Sequence, residues 1–335
     1  MEPRLYRLLA IAAFVSCFLG SVQTPAQNAY ITNDGSGNVS VIDTATNTVT
    51  ATVPVGAAPF AVVVSPDGGT VYVANIDSDN VSAIATATNK VIATIAVGSY
   101  PQGATVSPNG STIYVANSHS NDVSVVDAAT NKVIATIPVG GEPGGMAVTP
   151  DGGKVYVANF LSNNVSVIDT ATKTVTATVV VGANPFGVAV TPDGNTVYVA
   201  NAAFGANTVS AINTARNTVT AVISVGSEPG GVAVTPDGSK VYVANFLSNN
   251  VSVINTGTNT ATATILVGGE PFGVAVTPDG CNVYVANGAS NNVSVINTAT
   301  NTVTAAITVG SGPVAFGVFI RPSSAGTRRF SNCQS

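Results

Sequence analysis

The sequence predicts an all-β fold, a closed seven-bladed β-propeller with four antiparallel strands per blade. Three observations lead there. A tyrosine in a recurring phrase falls at Tyr30, Tyr72, Tyr114, Tyr156, Tyr198, Tyr242 and Tyr284, with spacings of 42 residues broken once by 44; a period of this length is the signature of a stacked repeat array. Each unit contains four short strand-like runs separated by turn residues, typified by "FGVAV", "NTVYVAN", "VSVINT" and "TVTATI". Finally, the first unit has only the last three of these runs, while the final one has only the first, "FGVFI" at Phe316 to Ile320, with six complete units between.

The four runs are called A to D in chain order. Between A and B, "TPDG" suits a tight turn: proline presets φ, the aspartate side chain bonds nearby backbone, and glycine accepts positive φ. Strand B, as in "TVYVA", is small and apolar on both faces, so each sheet should be covered on both sides, as face-to-face stacking in a ring provides. Strand A is rich in Gly, Ala and Val, which fits crowding near a central axis. Pairing the final A strand with the first B strand would build the seventh sheet from both ends and remove the open edges. An open solenoid is the alternative, but it needs polar end caps, and neither end looks like one.

Charged residues are 8% of the 335, there is no tryptophan, and the formal net charge is −5. Arg4 and Arg7 precede an apolar run from Leu8 to Gly20, followed by small and polar residues. Residues 1–26 therefore read as a secretory signal peptide, because 13 apolar residues make a helix of about 20 Å, short of the roughly 30 Å hydrocarbon core. A lipidated Cys17 is the alternative, but Phe14, Val15 and Ser16 make a poor small-residue box. The predicted organisation is a signal peptide over 1–26, the propeller over 27–322 and a tail over 323–335, in a secreted or extracytoplasmic chain without a transmembrane segment. Removing residues 1–26 takes away Glu2, Arg4 and Arg7 and leaves a charge of −6. Scattered basic residues exclude a nucleic-acid partner. Cys281 and Cys333 remain, and the tail leaves the last A strand beside the turn that holds Cys281. A disulfide between them is expected in an oxidising compartment; two free thiols are the alternative.

The phrase "YVAN", at Tyr72 to Asn75 and five later places, with "YITN" at Tyr30 and the linked "PFGVAVTPDG" at Pro185 to Gly194, resembles the YVTN family of β-propeller repeats. The resemblance runs from Asn28 to Pro322. It implies the propeller fold and a secreted or surface-layer setting, often with no known reaction; distant relatives include lactonase-type hydrolases and propeller subunits of redox enzymes. The lack of tryptophan sets the chain apart from WD40 repeats and from the docking motifs of quinoprotein propellers.

An antiparallel meander places the A-to-B and C-to-D turns at one end and the B-to-C and D-to-A loops at the other, here called the top. The copies disagree most at the top, making it the favoured binding surface. Asp67, Asp151, Asp193, Asp237 and Asp279 fall in the A-to-B turn, and Asp43, Asp127 and Asp169 start the C-to-D turn, so these read as turn formers. Asp34, Asp77, Asp79, Asp122, Glu142, Glu228 and Glu270 are left at the top, where a ring of acids would suit a cation such as Ca²⁺; the plainer reading is a solvated face. His119, the single histidine, cannot build a multi-histidine zinc site. Phe160, Phe204 and Phe246 follow the "VAN" phrase in top loops as an apolar rim for a partner, unless they pack against neighbouring loops. No G-x-S-x-G elbow occurs. The expectation is a non-enzymatic binding or structural scaffold with no cofactor and no metal, engaging an unknown protein, glycan or surface-layer component through its top face. A lactonase-like hydrolase with a top-face acidic or metal site is the alternative.

Overall fold

In the computed structural model of the chain, which describes residues 27–320 and Cys333, strands follow the tyrosine repeat from unit to unit. The expected signal peptide and most of the expected tail lie outside the described residues. Among the described residues 27 strands form seven antiparallel sheets, six of four strands and one of three. The fourth blade is representative: strand A Pro143–Val148, B Lys154–Asn159, C Asn164–Asp169 and D Thr174–Val180, hydrogen-bonded in that order. Strand A of each complete blade lies against strand A of the next, so A is innermost.

Burial follows this radial order. In strand B the last five residues are buried on both faces, whereas strand D has one buried position and an otherwise exposed or half-exposed face. At Gly145, near the axis, glycine is required, because a Cβ there would run into the carbonyl oxygen of Phe186 in the next blade. The A–B ladder accordingly breaks register between Pro143 and Met146. A second break, between Val167 and Ile168 in C–D, recurs in every blade. Such bulges increase strand twist.

Two repeated contacts join and brace the blades. The asparagine of each "VAN" is fully buried; Asn159 Nδ2 donates to Asn164 Oδ1 at 2.7 Å and to Ser166 Oγ at 2.8 Å. In the third blade the acceptor is the Asp122 carboxylate, 2.6 Å from Asn117 Nδ2, which fixes the amide orientation because a carboxylate cannot donate. The "VG" glycine before each blade lies against this amide, with a Cβ on Gly140 falling 2.6 Å from Asn159 Cγ. The motif tyrosine reaches the next blade: Tyr156 OH donates to Asn217 Oδ1 at 2.9 Å and Tyr198 OH to Asn259 Oδ1 at 2.8 Å. Tyr284 OH donates to Asn47 Oδ1 at 2.6 Å across a separation of 237 residues, tying the last complete blade to the first sheet.

The first sheet has three regular strands, Asn28–Asn33, Asn38–Asp43 and Thr48–Pro54. Residues 313–320 run antiparallel beside Asn28–Asn33 through isolated bridges at Ala29–Ile320 and Asn33–Pro313, and Tyr30 N donates to Phe319 O at 2.9 Å. The expected regular A strand is thus replaced by an irregular segment. Its other side hydrogen-bonds the second blade, with Val62 N donating to Phe316 O at 2.8 Å and Val64 N to Val318 O at 3.0 Å. The cause is visible in sequence: Val314 and Ala315 separate Pro313 from Phe316, whereas Pro271 and Phe272 are adjacent. Ala315 turns left-handed (φ 45°), and the extra residues carry Phe316 towards the axis.

Candidate functional site

Six strands A and the closing segment converge at the top of the axis, and the second residue of each strand decides what stands there. Phenylalanine occupies it in three blades, at Phe60, Phe186 and Phe272, while Gly144 and Gly230 occupy it in two others. The two choices are complementary: a Cβ on Gly144 would press on the Phe186 ring at 3.2 Å, and one on Gly230 on the Phe272 ring at 3.3 Å. The three rings meet with centroids 5.3 to 6.3 Å apart, mostly edge to face, and Phe316 joins all three at 5.0 to 5.9 Å. These are favourable aromatic geometries.

This layer separates two axial spaces. Below it lies a cavity of about 400 Å³ walled by Val, Ala and Pro side chains, with Phe316 and Met146 in its lining. Above it lies a vestibule of about 360 Å³ lined by Phe60, Phe186 and Phe272, by Phe160 and Phe246, and by Gln102, Glu142 and Glu228.

Paired loops place the glutamates and the outer phenylalanines. Glu142 and Glu228 hold left-handed backbone (φ 49° and 50°) just before the proline that opens strand A. Phe160 N donates to Glu142 O at 2.9 Å and Phe246 N to Glu228 O at 2.9 Å, so each glutamate is latched to one phenylalanine. Asn121 Oδ1 accepts from Glu142 N at 2.8 Å, pinning that turn from the preceding blade. Phe160 then stands edge-on to Phe186 (6.3 Å, 88°) and Phe246 edge-on to Phe272 (6.2 Å, 87°).

The other predicted top-face residues do not join them in the vestibule lining. Glu270 has the same left-handed backbone (φ 53°), but Gly288 stands where its phenylalanine partner would be, and it is exposed. Phe204 is 88% exposed. Asp79 accepts from Tyr100 N at 2.8 Å and Asp122 from Asn117, so both carboxylates fasten loops. Asp77 is exposed, and its charge, second to burial, raises the pKa of Asp34. His119 is exposed and stacks flat on Tyr100 with centroids 4.1 Å apart. Among the described residues no three of His, Cys, Asp and Glu stand close enough to hold a metal ion. Sequence reasoning missed Phe60, Phe186, Phe272 and Phe316, although the alternation of "PFG" and "PGG" openings carried the signal.

At the opposite end the turn aspartates serve the backbone. Asp151 accepts from Thr149 Oγ1 at 2.5 Å and Gly153 N at 2.9 Å, and these bonds hold its pKa below the usual value. Cys281 and Cys333 are disulfide-bonded beside such a turn, with Cα atoms 5.3 Å apart.

The family described as the cytochrome D1 heme domain matches residues 25–321. A chain of hydrazine synthase from Kuenenia stuttgartiensis is 26% identical with a TM-score of 0.71, over 77% of this chain and 88% of that one. A functionally unknown protein from Desulfotomaculum acetoxidans DSM 771 superposes with a TM-score of 0.73 at 20% identity, over 87% of this chain and all of that one. A curated relative, the PE-PGRS family protein PE_PGRS18 of Mycobacterium tuberculosis (strain ATCC 25618 / H37Rv), is 51% identical over 50 residues, which is 15% of this chain and 11% of that protein.

The family name raises the question of a heme. Protein ligands to heme iron are His, Cys thiolate, Met or Tyr, and the vestibule lining contains none of them. His119 is stacked outside it, Met146 lines the cavity below the phenylalanine layer, and Cys281 and Cys333 are bonded to each other. The vestibule's charged side chains are two glutamates, which would repel rather than pair with the carboxylates of a tetrapyrrole. The residues present do not fit a heme in the vestibule, while fold and sequence agree along nearly the whole length: the chain belongs to the cytochrome D1 heme domain family of β-propellers.

Proposed function

We propose that the protein is a YVTN-type, extracytoplasmic binding propeller, which takes a ligand into the vestibule above the phenylalanine layer and performs no reaction on it. The observation that carries this reading is the convergence of two latched Glu–Phe pairs on an aromatic floor at the top of the axis. Pockets of this kind, mostly apolar with a few placed polar groups, are typical of small-ligand sites. The Cys281–Cys333 bond supports an oxidising compartment, in agreement with the signal-like N-terminus.

A thermal-shift screen of small apolar and amphiphilic compounds against the wild-type chain and Ala202→Trp, which places an indole in the vestibule lining, tests the reading. Compounds should raise the melting temperature of the wild type and not of the variant, provided that both melt alike without ligand. Compounds that stabilise both proteins equally, or none that stabilises the wild type, would refute it. A second reading, a hydrolase of the lactonase kind, draws on the same vestibule because Glu142 and Glu228 both line it. Turnover of aryl esters or lactones that disappears in Glu142→Gln or Glu228→Gln would establish that reading in place of the first.

A further inference from the structure

Resting on the vestibule reading, we propose that the ligand is an organic cation, an ammonium group carried on a compact apolar body. The charge argument comes first. Two acidic residues, Glu142 and Glu228, line the vestibule from different blades, and no Lys, Arg or His stands in the lining to neutralise them. Both are half-buried, so a cation entering between them meets attraction less screened by water than on an open surface. An anionic ligand would meet the opposite.

The walls then select the kind of cation. Ca²⁺ takes six to eight oxygen ligands, whereas five phenylalanines line the vestibule, and aromatic rings attract ammonium groups. Phenylalanine offers no hydroxyl or indole N–H, and Gln102 is the remaining polar side chain of the lining, so a hydrogen-bond-rich sugar finds few partners. A volume of about 360 Å³ suits a small molecule rather than a peptide chain.

The repeat supplies an internal control. The same loop position holds a glutamate at Glu142, Glu228 and Glu270, yet the two that face the vestibule are those followed by a latched phenylalanine; Glu270, paired with Gly288, stays outside. Charge and aromatic wall come as a unit.

Calorimetric titration of the full chain with 2-phenylethylammonium and with 2-phenylethanol, its uncharged near-isostere, tests the proposal. The ammonium compound should bind about tenfold or more tightly than the alcohol. Glu142→Gln/Glu228→Gln should weaken the ammonium compound by about tenfold or more and leave the alcohol unchanged, and added salt should act in the same selective way. Glu270→Gln should change neither. Equal affinity for both compounds, no binding of either, or an undiminished ammonium affinity in the double variant would overturn the cation. Alcohol binding that Ala202→Trp abolishes would, in those cases, leave the vestibule reading standing while the cation falls; no binding of either compound leaves that reading to its own screen.

Discussion

Gly140→Ala tests the interlock between neighbouring blades. Gly140 does not have left-handed backbone, so alanine is acceptable to the main chain, and the cost arises from its neighbour. The new Cβ would lie 2.6 Å from Asn159 Cγ, where ordinary contact begins at 3.4 Å. Asn159 is fully buried and anchored by bonds of 2.7 and 2.8 Å, so it must either surrender them or push the loop outward. Overpacking costs about 1–3 kcal/mol and loss of both hydrogen bonds about 2 kcal/mol, so either route costs about 1–3 kcal/mol. Urea unfolding followed by circular dichroism measures it. Gly288→Ala, whose nearest contact would be at 3.4 Å, should stay within about 0.5 kcal/mol of wild type. In an Asn159→Gly background, Gly140→Ala should lose most of its effect, since both the amide and the Cβ that the new methyl would strike, at 2.6 and 2.8 Å, are gone. A cost below about 1 kcal/mol, or the same cost in both backgrounds, would refute the reasoning.

Reduction of Cys281–Cys333, which are separated by 52 residues, should lower the unfolding free energy by about 4 kcal/mol from chain entropy, read as a shift in urea midpoint with and without reductant. Phe186→Ala removes a ring that touches four others and should cost about 3–5 kcal/mol in the same assay. Burial, then the charges of Asp151 and Asp237 respectively, push Tyr156 and Tyr242 up to about 12. Their folded values are raised, so the stability they contribute is complete below pH 10 and lost as pH rises from 10 towards 12; absorbance titration should show these phenols ionising late, together with unfolding. Asp151 and Asp193 are lowered, first by the threonine hydroxyl bond and then by a backbone N–H, so their contribution is present above the ordinary value of 3.8 and lost as pH falls below it. Acid unfolding of Asp193→Asn should therefore depend less on pH across that range.

Repetition made the architecture legible. Tyr156, Asn159 and Asp151 each solve one local problem, and because the problem recurs in neighbouring blades the solution is written repeatedly. The site is legible only in part, since it belongs to residues that differ between copies. Glu142, Glu228, Phe160 and Phe246 stood out as loop exceptions. The floor made by Phe60, Phe186 and Phe272 lies inside the repeated strand A and becomes a site only when the ring brings distant blades together at the axis. Asp79 and Asp122 were misleading because a carboxylate in a variable loop can also be a loop fastener. The two-residue insertion at Val314 and Ala315 was present in the sequence, but its effect on the closing segment depends on how close the second blade's strand A lies.

Residues 313–320 are synthesised after every other part of the ring. Until they emerge from the ribosome, the inner flank of Asn28–Asn33 has no covering partner, and Phe316 is missing from the centre. Until then the ring is unclosed, and its unpaired strand edge is open to proteases. Final locking is thereby postponed to the end of translation, so a copy truncated by a few residues before Ile320 would be the one most readily degraded.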